Sequence, residues 1–420
     1  MPISKDSVRI GALTEGRSKV SRRRFTIISS CSDLWGGSEE LWSAAACALA
    51  ENGHSVSCFK TGVDTNHPSV RRLKSFNCTV RDLRRRNRGP VLIKYAHVLP
   101  LALHLLTRRP DLVLISQGDN YDGLYLGYLC QKLGIPYTLI CQKASDYLWP
   151  EDKLRSYKSA VFEGAVKCFF VSEHNRRLTE DQYGITLKNA QAVRNPYMVR
   201  TAQPLPWPVN DDDNLKLACV ARLYLLDKGQ DMLLRVLARN KWKERKLHVS
   251  FFGQGVNRQS LESLAGKLGI QNISFEGQTS EVISIWRDHH ALVLPSRAEG
   301  MPLSLVEAMM CGRPGIVTNV GGNAEIVEDR VTGFLAAPVE DSLDAVLEDA
   351  WARRHDLPEM GRLAATRIRE LVSPNPAQDF ANMLLKIVGE LAEAKTRRHV
   401  VGHITASDPS PVRVSPDAEI

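Results

Sequence analysis

The 420-residue chain lacks the features that mark membrane-spanning, disulfide-stabilised and zinc-binding proteins. Its nine cysteines include no Cys-x-x-Cys pair, a pattern that favours reduced, buried thiols over a zinc site or a disulfide framework. No segment reaches the roughly 18 unbroken apolar residues that a bilayer-spanning helix needs, since the longest candidate, Val98–Leu106, contains Pro100 and His104. The first 24 residues are polar and basic and have no apolar core of a secretory leader. We therefore expect a cytoplasmic protein.

Acidic residues are almost absent from one region. Residues 71–109 contain eleven Lys or Arg and a single acid, Asp82, so this stretch carries +10 while the whole chain carries +8. Three interpretations are open: a solvated loop and helix face, a surface for anionic lipid head groups, or a nucleic-acid site. The third is disfavoured because no stacking aromatic residues alternate with these arginines.

Strand-like and helix-like segments alternate along the chain in two series. The first series has buried-strand patterns at 25–30, 55–60, 112–116, 137–141, 168–171 and 191–194, and the second at 215–221, 248–252, 273–275, 292–295 and 315–318. Strands separated by helices predict a parallel sheet with both faces covered. The proline-rich and Asp-rich stretch 201–214 predicts a linker between the two series. The fold class is therefore α/β, with two doubly wound Rossmann-like domains that face a central cleft.

This alternation predicts the domain organisation. We expect a basic tail over 1–24, an N-terminal domain over 25–203 and a C-terminal domain over 204–370. A final amphipathic helix is expected over 371–395, followed by a polar tail over 396–420.

The segment from Glu299 to Glu307 is the most informative motif. It places two carboxylates seven residues apart, after the buried strand Ala291–Ser296 and before a helix that ends near Gly312. A helix start attracts anions, phosphate above all. A carboxylate accepts two hydroxyls at once and so suits a sugar or ribose diol. The pattern predicts a site for a nucleotide diphosphate sugar.

Several motifs together resemble one enzyme family. In chain order they are Gly36-Gly37, Val220-Ala-Arg-Leu223 with Asp227-Lys-Gly229, Phe251-Phe-Gly-Gln-Gly255, the Glu299–Glu307 segment, Gly321-Gly-Asn-Ala-Glu325 and Thr332-Gly-Phe-Leu335. Their order and spacing, over roughly residues 25–395, resemble the retaining glycosyltransferases of the GT-B fold, family 4 (glycosyl transferases group 1). The resemblance implies that the final helix packs back against the N-terminal domain.

The resemblance also implies roles for the donor-binding residues. Glu307 would hold the ribose hydroxyls and Glu299 the hexose, while Arg222 and Lys228 would stabilise the leaving pyrophosphate. The further donor-binding candidates are Gly36, Gly37, Gln142, Gln278, Gly300, Met301, Pro302, Leu303 and Ser304. Those at 300–304 would contribute mainly backbone amides, and the side chains of Met301 and Leu303 are expected in the core. The catalytic candidates are Glu299, Arg222 and Lys228.

One position departs from the family pattern. Many members carry a histidine near the end of the strand that begins at Ile135, and here Gln142 takes that position. Glutamine binds a hydroxyl but does not titrate, so any role that needs an imidazole is in doubt. Lys143 and Asp146 are nearby polar candidates, with local capping or solvent contact as the alternative. The segments Ser172–Asn175 and Asn195-Pro196 are expected to shape the cleft.

The sequence thus predicts a metal-independent hexosyltransferase without a cofactor. Its donor would be a UDP- or GDP-sugar, and its acceptor a saccharide or lipid-linked molecule in polysaccharide or glycolipid synthesis. The basic stretch 71–109 is a possible contact with the inner face of the plasma membrane, and no nucleic-acid partner is expected. The alternatives are a non-catalytic GT-B carbohydrate-binding or scaffold protein, and a GT-B epimerase or phosphorylase.

Overall fold

The computed structural model describes residues 21–31, 35–83, 98–209 and 214–405, with side chains up to 397. The linker aspartates 211–213, the arginines at 84, 85, 86 and 88 and most of both predicted tails lie outside these ranges. Two parallel sheets form separate layers, each covered by helices on both faces, as the alternation predicts.

The first sheet has seven strands in the order β3-β2-β1-β4-β5-β6-β7. They are β1 (Arg24–Ser29), β2 (Ser55–Lys60), β3 (Thr79–Asp82), β4 (Leu112–Asp119), β5 (Tyr137–Lys143), β6 (Lys167–Phe170) and β7 (Ala190–Ala192). Their helices are α1 (Gly37–Glu51), α2 (Pro68–Ser75), α3 (Leu99–Arg108), α4 (Leu124–Lys132), α5 (Asp152–Glu163) and α6 (Glu173–Tyr183). The order reverses between β1 and β4, so the loop after β1 opens at a switch point, where ligands of such sheets bind.

The second sheet has six strands in the order β10-β9-β8-β11-β12-β13. They are β8 (Leu215–Val220), β9 (Leu247–Phe252), β10 (Ile273–Gly277), β11 (Ala291–Leu294), β12 (Gly315–Thr318) and β13 (Gly333–Ala336). Its helices are α7 (Leu225–Lys228), α8 (Gln230–Leu237), α9 (Asn240–Glu244), α10 (Arg258–Leu268), α11 (Val282–Asp288), α12 (Leu303–Met310), α13 (Asn323–Ile326), α14 (Glu340–Ala352) and α15 (Leu357–Leu371). Here the switch point lies between β8 and β11, the strands before the Asp227-Lys-Gly229 and Glu299–Glu307 motifs.

The final helix, α16 (Pro376–Thr405), follows the C-terminal domain in sequence but packs against the N-terminal domain. Phe380, Leu384 and Ile387 share one buried cluster with residues of α1 and β1. The ring of Phe380 meets that of Phe169 edge-on, with centroids 5.0 Å apart. The helix runs to Thr405, beyond the expected end at 395, because no proline or glycine stops it there.

Two strands were not among the strands expected from the sequence. β3 is mostly exposed and carries charged residues, so it has no apolar run, and β13 begins with glycine and contains no β-branched residue. All nine cysteines are free thiols, and eight are buried. Within the described part of the chain, no helix is both long and apolar enough to cross a membrane.

Candidate functional site

Glu299 and Glu307 lie at the carboxyl end of β11, one in the following loop and one in the second turn of α12. Both are buried, with exposed fractions of 4% and 5%. Pro302 precedes α12 in an extended conformation and lets the helix begin abruptly after the loop. Met301 is buried in the apolar cluster beneath α12, as expected. A buried carboxylate needs a partner or a raised pKa, and the two glutamates differ in this respect.

Glu299 is paired with a cation. Its carboxylate accepts hydrogen bonds from Lys228 Nζ at 2.6 Å and from Ser296 Oγ at 2.7 Å. The Lys228 side chain is 15% exposed, so the pair is largely shielded from water. Arg222, by contrast, is exposed in the loop after β8, with its guanidinium 6.0 Å from the centroid of the Tyr224 ring. The sequence-predicted cations thus lie in one loop region, and the lysine contacts the predicted hexose-binding glutamate.

Glu307 has no cation beside it among the described contacts. Its Oε1 accepts a hydrogen bond from the backbone N–H of Met198, which lies just after the N-terminal domain's last strand, at 2.9 Å. Burial raises the pKa of Glu307 to about 7, an effect that the Met198 hydrogen bond opposes and the nearby charge of Glu40 increases. A carboxylate with such a pKa changes its protonation state near neutral pH.

The loops of the two domains meet around these glutamates. A Cβ added to Gly37, at the start of α1, would stand 3.2 Å from Leu303 Cδ1 at the start of α12. A Cβ added to Gly300 would stand 1.9 Å from the backbone oxygen of Gln142, which excludes any side chain there. The structure therefore brings together the predicted residues of both domains. Gly36, in contrast, has open space around it.

Gln142 and Asn195 form a buried amide pair in the N-terminal wall of the cleft. Asn195 Nδ2 donates to Gln142 Oε1 at 2.8 Å, although 53 residues separate them in sequence. Within the described ranges, Gln142 Nε2 and Asn195 Oδ1 have no hydrogen-bond partner. One free donor and one free acceptor side by side match the bonding capacity of a single hydroxyl group. Asn195 was expected only to shape the cleft.

An ionic cluster lies at the junction between the two domains. Of its residues, only Lys143 was a candidate site residue from the sequence. The Lys143 Nζ lies 2.7 Å from Asp227 Oδ2 and 3.4 Å from Asp119 Oδ1. Tyr147 donates its hydroxyl hydrogen to Asp227 Oδ1 at 2.6 Å. Burial raises the pKa of Asp119, whereas Lys143 and the Tyr147 hydrogen bond together lower the pKa of Asp227 despite its burial. The available signals were the position of Asp119 and Lys143 at strand ends and the place of Asp227 in the Asp227-Lys-Gly229 motif.

A second buried ion pair supports the glycine loop before α1. Lys60 Nζ lies 2.9 Å from Glu39 Oε1, and both side chains are 1% exposed. Lys60 also donates to the backbone oxygen of Cys31, and Ser29 and Trp42 donate to the Glu39 carboxylate. The pair therefore ties the ends of β1 and β2 to the first turn of α1.

A cavity of about 380 Å³ opens beside the glutamates, between α6 and the loop after β12. Polar residues of its lining are Asp146, Glu173, His174, Arg177, Asn319 and Glu325. Gly321 belongs to the same lining, and a Cβ on it would stand 2.2 Å from the backbone oxygen of Glu299. The cavity thus reaches the back of the Glu299 loop. Asp146, one of the sequence candidates, lies there and not at the glutamates themselves.

The other predicted residues lie farther out or have backbone roles only. Gln278 is exposed at the carboxyl end of β10, an edge strand separated from β11 by β9 and β8. Pro302 is buried and Ser304 half-buried at the start of α12. Among the described residues, no three His, Cys, Asp or Glu side chains converge in an arrangement that could hold a metal ion.

Comparison with known proteins agrees with this architecture. The family model "Glycosyl transferases group 1" matches residues 203–363. A D-inositol 3-phosphate glycosyltransferase of Paenarthrobacter aurescens is 36% identical over 373 residues, which cover 79% of this chain and 88% of that protein. An uncharacterized glycosyltransferase of Methanocaldococcus jannaschii is 35% identical over 115 residues, but the match covers only 27% of this chain and 31% of that relative.

Solved structures show the same fold at low sequence identity. Sucrose-phosphate synthase from Thermosynechococcus elongatus superposes with a TM-score of 0.68 at 17% identity, covering 89% of this chain and all of that one. Anabaena HepE in complex with UDP-glucose superposes with a TM-score of 0.67 at 15% identity, covering 86% of this chain and 99% of that one. The two facing parallel-sheet domains are thus the GT-B fold. Together with the near full-length sequence match, they show that this chain belongs to the group 1 glycosyltransferase family.

Proposed function

We propose that this protein transfers a sugar from a nucleotide diphosphate sugar to an acceptor hydroxyl, with retention of the anomeric configuration. One observation carries the proposal. The Lys228–Glu299 pair, the buried Glu307 and the glycine contacts of Gly37 and Gly300 converge at the start of α12. A cation, diol acceptors and free backbone amides in one place are the groups that a nucleotide diphosphate sugar requires.

Each wall of the cleft supplies part of the donor site. Glu307 accepts the two ribose hydroxyls, and Glu299 contacts hexose hydroxyls from its position beside Lys228. The amides of Gly300, Met301 and Leu303 face the distal phosphate. Gln142 Nε2, buried and without a partner among the described residues, donates to a hexose hydroxyl. Gln278 contacts the base.

Lys228 and Arg222 supply the electrostatic part of the reaction. As the bond between the anomeric carbon and the phosphate oxygen breaks, the leaving diphosphate gains negative charge, which fixed cations stabilise more strongly than they stabilise the substrate. The acceptor oxygen attacks the anomeric carbon on the same face, and its proton passes to the leaving phosphate oxygen. Lys228 then exchanges its bond to Glu299 for one to phosphate. No cofactor and no metal ion takes part in this scheme.

The donor is a UDP- or GDP-sugar. HepE, a structural relative, was solved with UDP-glucose, a ligand of this class. The test measures hydrolysis and transfer with a panel of UDP- and GDP-sugars, in the presence and absence of EDTA, and records the anomer of the product. We expect turnover with at least one donor, unaffected by EDTA, and an α-product from an α-donor. Inversion, a requirement for Mg²⁺ or Mn²⁺, or epimerised or phosphorolysed donor would each contradict one element of the proposal.

We also propose that the protein works in the cytoplasm, on the inner face of the plasma membrane, with a saccharide or lipid-linked acceptor in polysaccharide or glycolipid synthesis. Helix α3 supports this, because Leu99, Leu103 and Leu106 are 70%, 60% and 50% exposed on one helical face. Arg108 and Arg109 follow at its end. Exposed leucines beside basic residues suit an anionic bilayer surface, where each basic residue adds about 1 kcal/mol.

Co-sedimentation with phosphatidylglycerol vesicles tests the membrane contact. We expect salt-sensitive binding by the wild type and loss of binding when the three exposed leucines of α3 are replaced by serine. Leu154→Ser is the matched control, because Leu154 is 40% exposed on α5, a different helix. Equal sedimentation of wild type, triple variant and control would show that α3 is not the contact.

A further inference from the structure

The junction between the domains contains a charge cluster that the donor chemistry does not by itself require. Asp119 and Lys143 are register partners at the ends of β4 and β5, in the N-terminal domain. Asp227 belongs to α7 of the C-terminal domain, yet its carboxylate lies 2.7 Å from Lys143 Nζ and accepts from the Tyr147 hydroxyl at 2.6 Å. The side chain of Asp227 is 4% exposed and that of Lys143 is 18% exposed. This contact, one of several between the domains, is a largely buried ion pair.

The backbone of Asp227 is bound on the opposite side. Its carbonyl oxygen accepts hydrogen bonds from the N–H groups of Arg297 and Ala298, at 2.6 and 3.1 Å. These residues immediately precede Glu299. Gly229, two residues after Asp227, adopts a left-handed conformation, and a Cβ there would stand 2.1 Å from the backbone oxygen of Pro295. The α7 turn and the Glu299 loop therefore behave as one unit, held to the N-terminal domain through the Asp227 carboxylate.

Lys228 is the residue whose position this unit determines. It follows Asp227 directly and is bound to Glu299 at 2.6 Å. Contacts between domains of one chain ordinarily allow relative motion. A buried ion pair is also no more stabilising than apolar residues of the same size, but it fixes geometry closely because each charge must keep its partner. The buried Asp227–Lys143 pair lies one residue from Lys228, the cation proposed for the leaving group. Its presence there is therefore better explained by positioning Lys228 than by a gain in the free energy of unfolding.

We propose that Asp227 is a positioning residue: by holding Lys143 and Tyr147, it sets the arrangement of the two domains in which Lys228 and Glu299 face the N-terminal wall of the cleft. Asp119 supports Lys143 from its own domain, at 3.4 Å. Asp227 does not touch the reacting atoms in this scheme. The proposal rests on the proposed function only for the identity of the ligand at Lys228, since the arrangement of the domains is measurable without any ligand.

The test compares four variants with the wild type. Asp227→Asn and Lys143→Met remove the two charges of the pair from opposite domains, and Asp227→Glu keeps the charge. Asp231→Asn is the matched control, because Asp231, in the first turn of α8, forms an ion pair with Arg297 at 2.7 Å that lies entirely within the C-terminal domain. Small-angle X-ray scattering of the free protein reports the domain arrangement, and steady-state hydrolysis of UDP-glucose, or of the donor that the panel identifies, reports kcat and KM.

We expect a larger radius of gyration for Asp227→Asn and Lys143→Met, with kcat/KM lower by about 10- to 100-fold, the scale of a displaced catalytic group. Asp227→Glu should recover part of both properties, and Asp231→Asn should match the wild type in scattering. Wild-type scattering from both Asp227→Asn and Lys143→Met would overturn the proposal, whatever their kinetics. If the wild type acts on no nucleotide sugar, the proposed function fails, while the scattering comparison still decides the role of Asp227.

Discussion

The two walls of the cleft differ in how their polar residues are assembled. In the C-terminal wall, Asp227 and Lys228 are adjacent, and Glu299 and Glu307 bracket one short loop and helix start. In the N-terminal wall, Gln142 pairs with Asn195 and Lys143 pairs with Asp119, across separations of 53 and 24 residues. The residues of the first wall lie in local motifs that one long-range pair, Lys228 with Glu299, joins across 71 residues, whereas the second wall exists only because parallel strands end at one edge of a sheet. Contacts across the cleft connect the two.

The strongest test of the C-terminal wall is Lys228→Ala. Removing the lysine bound to Glu299 leaves Arg222 as the remaining proposed cation for the leaving diphosphate, so we expect kcat to fall about 10²-fold or more. The measurement is steady-state donor hydrolysis, with a thermal melt to verify folding. Lys241→Ala, in the surface pairs with Asp344 and Glu348, is the control for loss of a paired lysine and should retain kcat. A kcat near the wild-type value in Lys228→Ala would remove Lys228 from the mechanism.

Glu307→Gln separates ribose binding from the rest of the site. An amide is a poorer partner for two hydroxyls than a carboxylate is, so we expect nucleotide binding to weaken by about 1.5–3 kcal/mol, roughly 10- to 150-fold in Kd. Calorimetric titration with UDP and GDP measures the change. The same affinity in wild type and variant would rule out the ribose role of Glu307.

The contact between the walls is tested at Gly300. A methyl group there would lie 1.9 Å from the Gln142 backbone oxygen, so Gly300→Ala must push the two loops apart. We expect loss of about 1–3 kcal/mol in the free energy of unfolding, as for overpacking, together with a higher donor KM. Gly389→Ala in α16 is the matched control, because its Cβ meets no atom within 4 Å. Denaturant unfolding of both variants makes the comparison, and equal stabilities would mean that the loops do not touch in solution.

The stability of the free protein should depend on the protonation of Glu307. Burial raises its pKa from 4.5 to about 7, so its contribution to stability is fully present below pH 4.5 and is lost as pH rises through about 7. The Glu307→Gln variant has no titrating group at this position, so it does not lose this stability as pH rises. We therefore expect the variant to be more stable than the wild type by about 1–3 kcal/mol at pH 8, and the difference to vanish near pH 4.5. Urea unfolding at both pH values measures it, and a difference independent of pH would contradict the raised pKa.

Local patterns made much of the fold predictable. Apolar runs and turn residues indicated eleven of the strands, because each buried strand of a parallel sheet needs its own apolar run. β3 was missed because it is an exposed edge strand with charged residues, and β13 because its sequence, Gly-Phe-Leu-Ala, begins with glycine and contains no β-branched residue. The end of α16 at Thr405 was also not predicted, because residues 396–405 contain no proline and continue the helix through Gly402.

The sequence by itself determined the residue types of the C-terminal wall: Lys228 beside a glycine, and two glutamates on either side of a helix start. These features depend on neighbours within a few residues, which is the range over which sequence patterns have structural meaning. Only the tertiary structure decided that Glu299 has a cation while Glu307, among the described residues, has none and has a raised pKa, because burial and charge pairing depend on segments distant in sequence. The tertiary structure likewise decided that Asp227 binds Lys143 and Tyr147 of the other domain, since the end of β5 and helix α7 meet only when both sheets have formed and the domains have packed together.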